Sequence, residues 1–390
     1  MAKIALAATA GNLGDLSIAL EIARDLQEDV EHPYEIDFIS YGIRYSNLIS
    51  QAGLKARYPP PYRFAPFAPD VGRLIKLVEH ELKWWQAQKP AAIINKHEIS
   101  PIFSARLAGI PLIWVLNYAW TRPCFATGRI GANPLALIFH PDHMMSAEAY
   151  LEPFRQVARH FGLPEPADFH ELYTGEQTWV LDIPAVTGEP LPAGYHYIGP
   201  HFAQFPGDIP AELSQLDRNR PIIYFSMGSS THLDKLLPIL QSFRLRPDYQ
   251  VIAPVRWRLS DHSPELPPNV ILTDRVPAHL VNPLADVAVI HGGSGTIGTA
   301  CYSGTPFVGF ANFLEQAVNI DLIVARGAAK RLSFADTTPP EVVAAVDELL
   351  ASTTARAQMV ELQGEFRRWQ HDRPTARLLT HYLASVPAAA

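Results

Sequence analysis

The sequence has few cysteines, little charge and no long apolar run, and each shortage argues against a class of protein. Its two cysteines, Cys124 and Cys301, lie far apart in 390 residues and have no metal-ligating neighbours. This argues against a disulfide framework or a zinc site and favours a reducing cytoplasm. No stretch approaches the ~18 consecutive apolar residues of a membrane span. The formal charge of −7 is spread without long runs, so the basic face of a nucleic-acid binder is missing.

The usual motifs for holding a metal-bound phosphate are also missing. No Gly-Lys-Ser/Thr sequence follows either glycine-rich loop, and the chain contains no Asp-x-Asp pair to hold Mg²⁺ under a diphosphate. His140 and His143 flank Asp142 at a spacing that suits a metal only superficially, because no further ligand is evident. We therefore expect neither a metal nor another cofactor.

What the sequence does have is length and a repeated order of elements. A chain of 390 residues is too long for one hydrophobic core. In both halves apolar, strand-like runs alternate with helix-like segments, which predicts an α/β protein with parallel sheets. The last predicted strand is PFVGFAN, residues 306–312, and a glycine- and proline-rich stretch, residues 186–210, separates the halves.

We expect two Rossmann-like domains that face each other across a cleft. The N-terminal domain covers residues 1–200 and the C-terminal domain covers residues 201–370. A final helix, residues 371–390, packs back on the N-terminal domain. Ligands of such sheets bind outside the carboxyl ends of the strands.

The segment IHGGSGT, residues 290–296, ends a predicted strand and opens a predicted helix. Its glycines let backbone N–H groups approach an anion, and the helix dipole adds to the attraction. His291 and the hydroxyls of Ser294 and Thr296 are further donors. A second loop, residues 228–230, follows the strand IIYFS, and two such loops suit a diphosphate. A strand-to-helix turn without a ligand is the alternative, which this many glycines and hydroxyls disfavour.

Residues 220–332, with ADVAVIHGGSGTIGTACYSGTPFVGFANFLEQ at their centre, resemble the donor-binding region of the GT-B glycosyltransferases. The similarity is to the family 1 enzymes that use UDP- or dTDP-sugars, and in the N-terminal half it extends only to the order of the elements. It implies metal-independent, inverting transfer of a sugar to a small hydrophobic acceptor, with His291 and the loop after it stabilising the diphosphate leaving group. By this resemblance the donor and nucleotide site contains Gly228, Ser229, Arg275, Val276, His291, Gly293, Ser294, Gly295, Thr296, Glu315 and Gln316.

Two positions in the donor region depart from the family pattern. Arg275 stands where the family has a stacking tryptophan. Thr299 stands where a glutamate often holds both ribose hydroxyls. The loss of that bidentate acceptor weakens the case for a ribose 2′-OH and favours dTDP, while UDP stays open.

The segment GNLGD, residues 11–15, follows the first predicted strand. A subset that resembles antibiotic glycosyltransferases carries a Gly-x-x-Gly-Asp turn here, which implies that Asp15 is the general base for the acceptor hydroxyl. A carboxylate (pKa ~3.9) is a weak base toward an alcohol, so proton transfer must be concerted with attack. A helix N-cap is the alternative role for Asp15, and the two roles are compatible.

Acceptor-binding residues are expected where the N-terminal strands end. His97, after the strand AAIIN, either assists Asp15, binds the acceptor or is a structural histidine. The aromatic stretch 116–134 is expected to form the acceptor pocket, with simple loop packing as the alternative. The predicted acceptor residues are Asn12, His97, Asn117, Tyr118, Trp120 and Phe125.

Three alternative functions stay open at this point. A basic face on the predicted helix 70–88 would suit an enzyme that takes a lipid acceptor at a membrane surface, although Glu79 and Glu81 dilute the charge and favour a core helix. A nucleotide-sugar 2-epimerase or a non-catalytic GT-B partner protein would share the fold. We expect a cytoplasmic protein whose ligands are a nucleotide-sugar and a small acceptor, with no nucleic acid and no stable membrane insertion. The oligomeric state is not predicted.

Overall fold

The computed structural model describes residues 2–59, 70–131, 133–138, 145–188, 190–229, 231–259 and 265–386. His140, Asp142, His143 and Ser230 lie outside the described residues. The chain forms two compact units. The first unit contains Met1–Pro184, Gly188–His201 and His371–Ala390, and the second contains Ala185–Thr187 and Phe202–Gln370.

The described residues form strands and helices that alternate along most of the chain. The strands are β1 Lys3–Ala8, β2 Glu35–Ser40, β3 Ala56–Arg57, β4 Ala92–Lys96, β5 Leu112–Leu116, β6 Gln177–Val180, β7 Tyr195–Tyr197, β8 Ile222–Ser226, β9 Gln250–Ala253, β10 Val270–Leu272, β11 Val287–Ile290, β12 Phe307–Phe310 and β13 Ala329–Leu332. The helices are α1 Leu13–Glu28, α2 Ser46–Gln51, α3 Val71–Gln88, α4 Pro101–Ala108, α5 Arg122–Ala126, α6 Ala147–His160, α7 Pro184–Thr187, α8 Leu233–Ser242, α9 Ala278–Val281, α10 Ser294–Ser303, α11 Leu314–Val324, α12 Pro339–Ala351, α13 Thr353–Asp372 and α14 Thr375–Ser385.

The first unit is built on a parallel sheet in the order β3-β2-β1-β4-β5-β6-β7. Its central strands are short apolar runs buried on both faces, as expected where helices cover a parallel sheet. β7 lies inside the stretch 186–210 that the sequence predicts as a connection, and it pairs with β6. That part of the prediction is wrong, because a three-residue edge strand between glycines and prolines has no apolar run to reveal it.

The second unit is built on a parallel sheet in the order β10-β9-β8-β11-β12-β13. The sequence predicts β12 as the last strand, whereas β13 follows it and pairs with it at the edge of the sheet. β13 has the sequence AKRL and is only partly buried. Its lysine and arginine interrupt the apolar run by which a buried strand is recognised in a sequence. With both sheets parallel and flanked by helices, the predicted α/β class is confirmed.

Each sheet has one point where the strand order changes direction. In the first unit this point lies between β1 and β4, and in the second it lies between β8 and β11. The connections from the two strands at such a point leave in opposite directions, which opens a crevice at their carboxyl ends. These two strand ends are therefore where each unit is expected to bind a ligand.

Helix α3 is the segment that the sequence left open to a membrane role. Its apolar face, which includes Leu74, Val78 and Trp85, is buried within the first unit, where the helix packs against α4. The face that a membrane contact would need is therefore occupied by protein, as the core-helix interpretation expects. No helix in the described part of the chain combines the length and apolar character needed to cross a bilayer.

Helix α14 packs on α1 in the first unit, where Ala376 and Leu379 join the apolar core. Tyr34 Oη and Thr380 Oγ1 lie 2.7 Å apart beside them.

The sequence assigns acceptor binding to the N-terminal domain and donor binding to the C-terminal domain. This assignment, with the domain boundaries given above, stays a prediction.

Glu81 on α3 is a fully buried carboxyl group rather than a surface charge. It accepts hydrogen bonds from Tyr41 Oη and Ser104 Oγ, both at 2.6 Å, and from the hydroxyl of Ser100. Trp85 Nε1 donates in turn to Ser104 Oγ at 2.9 Å. Burial disfavours the carboxylate more than these donors favour it, so the pKa of Glu81 rises to about 7.

We predict that Glu81→Gln flattens the pH dependence of stability between pH 4.5 and 7. The folded chain holds this proton more tightly than the unfolded chain, whose carboxyl titrates near 4.5. The stabilisation of the folded state by protonated Glu81 is therefore complete below pH 4.5 and is lost as the pH rises toward 7. The loss that Glu81 itself contributes is on the order of 3 kcal/mol. Urea unfolding across this range measures it, with the exposed Glu79→Gln on the same helix as control. Parallel pH profiles for wild type and Glu81→Gln would contradict the prediction.

Candidate functional site

Asp15 lies in the first turn of α1, at the carboxyl end of β1. The helix begins at Leu13, and its N-cap is Asn12, whose Oδ1 accepts a hydrogen bond from the Gly14 N–H at 2.8 Å. The N-cap alternative for Asp15 is therefore wrong. The exposed side chain of Asn12, predicted to bind the acceptor, has this capping role in the structure. Asp15 is left to make other contacts.

Lys96 and His97 both approach one oxygen of Asp15. Lys96 Nζ and His97 Nδ1 each lie 3.1 Å from Asp15 Oδ1. The register of β4 on β1 pairs Ala8 with Lys96, and this brings the two strand ends together. Lys96 is only 1% exposed, and its Nζ also lies 3.3 Å from His97 Nε2. The structure thus joins the predicted Asp15 and His97 and adds a lysine that the sequence analysis missed.

The charges around Asp15 determine what it can do. Burial raises its pKa, but the charge of Lys96 and that of His97 when its ring is protonated together more than offset burial, and the pKa of Asp15 lies well below its ordinary value. A carboxylate so stabilised is a poor proton acceptor on its own. It is well suited to orient His97 and to stabilise an imidazolium beside it.

The backbone at His97 is unusual for a residue other than glycine. Its φ of +67° lies in the left-handed region, which non-glycine residues adopt rarely and at a cost in conformational energy. The next residue, Glu98, has its pKa raised well above the ordinary value by burial and by the nearby charges of Glu81 and Asp15. The turn after β4 therefore carries strain and unusual ionisation together, which is typical of functional sites.

The aromatic residues after β5 pack into the same unit. The ring of Trp120 lies 5.1 Å from that of His97 and 5.1 Å from that of Tyr173. Phe125 is partly exposed and contacts His170 edge-on at 4.4 Å. Tyr173 and His170 belong to a 3-10 turn far along the chain, and no local pattern in the sequence indicates that they pack here.

Two of the predicted acceptor residues, Asn117 and Tyr118, are buried. Their burial agrees with the alternative of loop packing more than with direct contact to an acceptor. Trp120, at the edge of the same turn, is the residue that reaches His97.

The second group of predicted residues lies at the carboxyl ends of β8 and β11. The imidazole of His291 packs against two glycines, Gly228 and Gly293. The approach is too close for any larger residue, since a Cβ would lie 2.4 Å from the ring at position 228 and 2.7 Å from it at position 293. Gly228 also has a φ of +62°, which a side chain would strain. The two predicted loops are thus brought together around one histidine, with Ser229 beside Gly228 in the chain.

His291 is a neutral group at physiological pH. Burial lowers its pKa to about 4 with the help of the Arg258 charge, although a hydrogen bond to the Ser226 backbone opposes the shift. A neutral imidazole has one N–H donor and no positive charge, and the Ser226 backbone takes that donor here. Any attraction for an anion must therefore come from neighbouring groups.

The start of α10 supplies part of that attraction. The helix begins at Ser294, with Gly293 as an N-cap whose position offers no side-chain acceptor. The N–H groups of Ser294 and Gly295 fall in the first turn, where an α-helix has no internal acceptor for them. Thr296 Oγ1 donates to Gly293 O at 2.8 Å, so its hydroxyl hydrogen bonds within the loop in this structure.

Arg258 is a functional candidate that the sequence analysis missed. Its guanidinium donates to Gly228 O at 3.1 Å and to the carbonyl of Thr231, so it fixes the loop after β8 and brings a positive charge to it. It lies in a short 3-10 turn after β9, and only the pairing of β9 with β8 brings it here. No local motif marks it.

Side chains of α11 brace the loops after β11 and β12. Gln316 Oε1 accepts from the Asn312 N–H at 2.8 Å, and Asn319 Nδ2 donates to Gly292 O at 3.2 Å. Glu315 lies beside Gln316, partly exposed, in the first turn of α11. Thr299 is buried in α10 and its hydroxyl donates to Gly295 O at 2.8 Å, so it is not presented as a replacement for a ribose-binding carboxylate.

Arg275 and Val276 follow β10 on the same edge of the sheet. The Arg275 guanidinium lies over the indole of Trp257, 4.4 Å from its centroid.

Within the described ranges, no group of three or more His, Cys, Asp or Glu side chains is arranged to hold a metal ion.

We predict that Gly293→Ala disrupts the loop whereas Gly295→Ala does not. A methyl group at 293 meets the His291 ring at 2.7 Å, and overpacking of this kind costs ~1–3 kcal/mol. A Cβ at Gly295 meets nothing within 4 Å, and alanine favours the helix by up to ~1 kcal/mol. Thermal or chemical unfolding of the two variants measures the difference. Equal stabilities would show that the glycine at 293 is not required for close packing.

Comparisons with known proteins agree with this arrangement. Residues 243–374 match the family described as erythromycin biosynthesis protein CIII-like, C-terminal domain. A PGL/p-HBAD biosynthesis glycosyltransferase of Mycobacterium tuberculosis is 28% identical over 279 residues, which are 68% of this chain and 64% of that protein. The chain thus matches less than two thirds of that relative's length.

Solved structures share the fold over nearly the whole chain. The glycosyltransferase of kitacinnamycin has a TM-score of 0.74 at 20% identity, covering 98% of this chain and 99% of that one. The glycosyltransferase VinC, solved in complex with dTDP, has a TM-score of 0.70 at 19% identity, with 98% of each chain covered. The predicted resemblance is therefore confirmed: the chain has the GT-B fold, and its C-terminal segment matches the EryCIII-like family.

Proposed function

We propose that this protein is a metal-independent, inverting glycosyltransferase that moves a sugar from a nucleoside diphosphate to a hydroxyl group of a small hydrophobic acceptor. The observation that carries the proposal is the packing of His291 between two glycine loops at the start of α10, where the strand order of the second sheet changes direction. Such a position suits a diphosphate. The glycosyltransferase names of the sequence and structural relatives support it.

The leaving group requires positive potential as its bond to the sugar breaks. One helix N-terminus supplies only ~0.3–1 kcal/mol when exposed and up to ~2 kcal/mol when partly buried. Neutral His291 adds no charge, and its N–H is directed at the Ser226 backbone. The Arg258 guanidinium, held against the same loop, supplies the missing charge. Several preorganised groups acting together then stabilise the diphosphate without a metal.

A dTDP-sugar is the donor that the second unit supports best. Thr299 is buried and its hydroxyl bonds within α10, so position 299 presents no carboxylate for a pair of ribose hydroxyls. The structural relative VinC was solved with dTDP. Glu315, in the first turn of α11, is the residue proposed to bind hydroxyls of the donor sugar, and the brace from Gln316 to Asn312 holds that turn in place.

The acceptor proton is proposed to pass to the Asp15–His97 pair. The acceptor oxygen forms its bond to the anomeric carbon as its proton moves to His97 and the bond to the diphosphate breaks, with the electron pair leaving on the diphosphate. Asp15, kept ionised by Lys96, stabilises the imidazolium that forms. This refines the role predicted for Asp15 alone. The aromatic side chains of Trp120 and Phe125 favour an apolar acceptor.

We predict that His97→Ala and Asp15→Asn each lower kcat by ~10²–10⁴ while dTDP binding is unchanged, because the two residues handle one proton. For groups that act as a unit, the double variant loses little more than the worse single variant. Single-turnover transfer and calorimetric titration measure both quantities, with the exposed His32→Gln as control. Full activity of Asp15→Asn would overturn the role of the pair.

We predict that dTDP raises the melting temperature more than UDP, and both more than GDP, with no effect of a chelator. A ligand at ~100 times its dissociation constant stabilises a protein by about 2.7 kcal/mol, which is easily measured. Differential scanning fluorimetry with and without EDTA provides the test. Stabilisation that depends on added Mg²⁺ would contradict metal independence. Conversion of the donor's sugar into its epimer during incubation without any acceptor would favour a nucleotide-sugar 2-epimerase.

A further inference from the structure

Asn95 is a fully buried amide side chain in the first sheet. It follows the apolar residues 92–94 in β4 and is 0% exposed. Neighbouring strands hold it on both sides, because the register pairs Asn95 with Ala7 on β1 and with Trp114 on β5. Burial of an amide is costly unless its polar atoms have hydrogen-bond partners. The partners of this amide therefore indicate its role.

Both polar atoms of the Asn95 amide bond to the backbone of one residue. Nδ2 donates to Glu98 O at 2.6 Å, and Oδ1 accepts from the Glu98 N–H at 3.3 Å. These two bonds close a turn whose central residues are Lys96 and His97. The same two residues each place a side-chain nitrogen 3.1 Å from Asp15 Oδ1. The contacts of Asp15 thus come from a turn that Asn95 closes.

This turn keeps His97 in a backbone conformation that residues with a Cβ rarely adopt. The φ of +67° at His97 lies in the left-handed region, and such a conformation persists only where surrounding contacts hold it. The chain beyond the turn is anchored by Ser100, the N-cap of α4, whose hydroxyl donates to the buried carboxyl group of Glu81. At the near end, the side chain that holds the turn is Asn95.

The clamp needs a side chain that is a donor and an acceptor at once. Leucine has a similar volume and would make neither bond to Glu98. Aspartate would accept from the Glu98 N–H but has no donor for the Glu98 carbonyl oxygen when it is ionised. Asparagine meets both requirements from a strand whose backbone is fixed, so the turn is held in place before any ligand binds.

We propose that Asn95 is a positioning residue that holds the His97 imidazole beside Asp15 in the orientation needed to take the acceptor proton. The inference rests on the proposed function, which assigns that proton to His97. Proton transfer needs heavy atoms within hydrogen-bond distance, and a displacement of about 1 Å can cost ~100-fold in rate. Asn95 bonds to the backbone of the turn, so it acts on the reaction through His97.

The first test is a double-mutant cycle between positions 95 and 97. Single-turnover transfer is measured with dTDP-glucose as donor and 2-naphthol as acceptor. Asn95→Leu is expected to lower kcat by ~10–100-fold with dTDP binding unchanged. In a His97→Ala background the same substitution is expected to change kcat by no more than about twofold, since no ring is left to position. Asn95→Ala repeats the comparison without added bulk should the leucine variant not fold.

The second test observes the ring directly and needs no activity. In protein labelled with ¹⁵N at the histidine rings, the NMR signal that is missing from His97→Ala belongs to His97. We expect this signal to move or broaden in Asn95→Leu. The control is Thr178→Val, which alters another buried polar side chain of the same sheet, on β6, and is expected to leave both the signal and kcat as in wild type.

The outcomes separate this inference from the proposed function. Equal losses from Asn95→Leu with and without His97 would overturn the inference, because Asn95 would then act on stability or elsewhere in the unit. An unchanged His97 signal or full kcat in Asn95→Leu would overturn it as well. A wild-type protein that binds neither dTDP nor UDP would instead contradict the proposed function, and the NMR comparison would still decide whether Asn95 holds the ring.

Discussion

The pairing of parallel strands in register, β1 with β4 and β8 with β11, places most of the candidate site. These pairs lie where the strand order of each sheet changes direction, so their carboxyl ends open onto a crevice. On one pair stand Asp15, Lys96 and His97, and on the other stand Gly228 and His291. A slip of one residue in the pairing of β4 with β1 would turn the side chain of Lys96 to the opposite face of the sheet and away from Asp15. The chemistry of both units thus depends on backbone hydrogen bonds beneath it.

Close packing around His291 is the second constraint. Two glycines allow its ring to lie against bare backbone, and burial then keeps the ring neutral. The diphosphate proposed to bind here would be attracted more strongly by a charged histidine, yet a buried charge without a partner is costly. The positive charge beside the loop belongs instead to Arg258, whose guanidinium donates to carbonyl oxygens of the loop. The histidine then provides shape.

The fold class and the two glycine loops could be predicted from the sequence because they depend on local patterns, namely apolar runs and glycines before a helix. Strands β7 and β13 could not be predicted, since edge strands carry few apolar residues. Asp15 and His97 could be identified from the sequence, with assistance of Asp15 by His97 as one of three alternatives, but their contact depends on the register of β1 and β4. Lys96 and Arg258 were missed because a charged residue at or after the end of a strand has no distinctive spacing. Their significance comes from tertiary contacts alone.

His291 and His97 differ in the charges that surround them. His291 is kept neutral across the physiological range, and the charge near it belongs to an arginine, which does not lose its proton in proteins. His97 stands beside a carboxylate that Lys96 holds ionised, so in the proposed mechanism a proton on its ring meets the negative charge of Asp15 as well as the ammonium of Lys96, 3.3 Å away. Histidine is the residue type best suited to proton transfer near neutral pH. The proposed mechanism thus takes its electrostatic stabilisation from an arginine whose charge is constant and leaves proton transfer to a histidine.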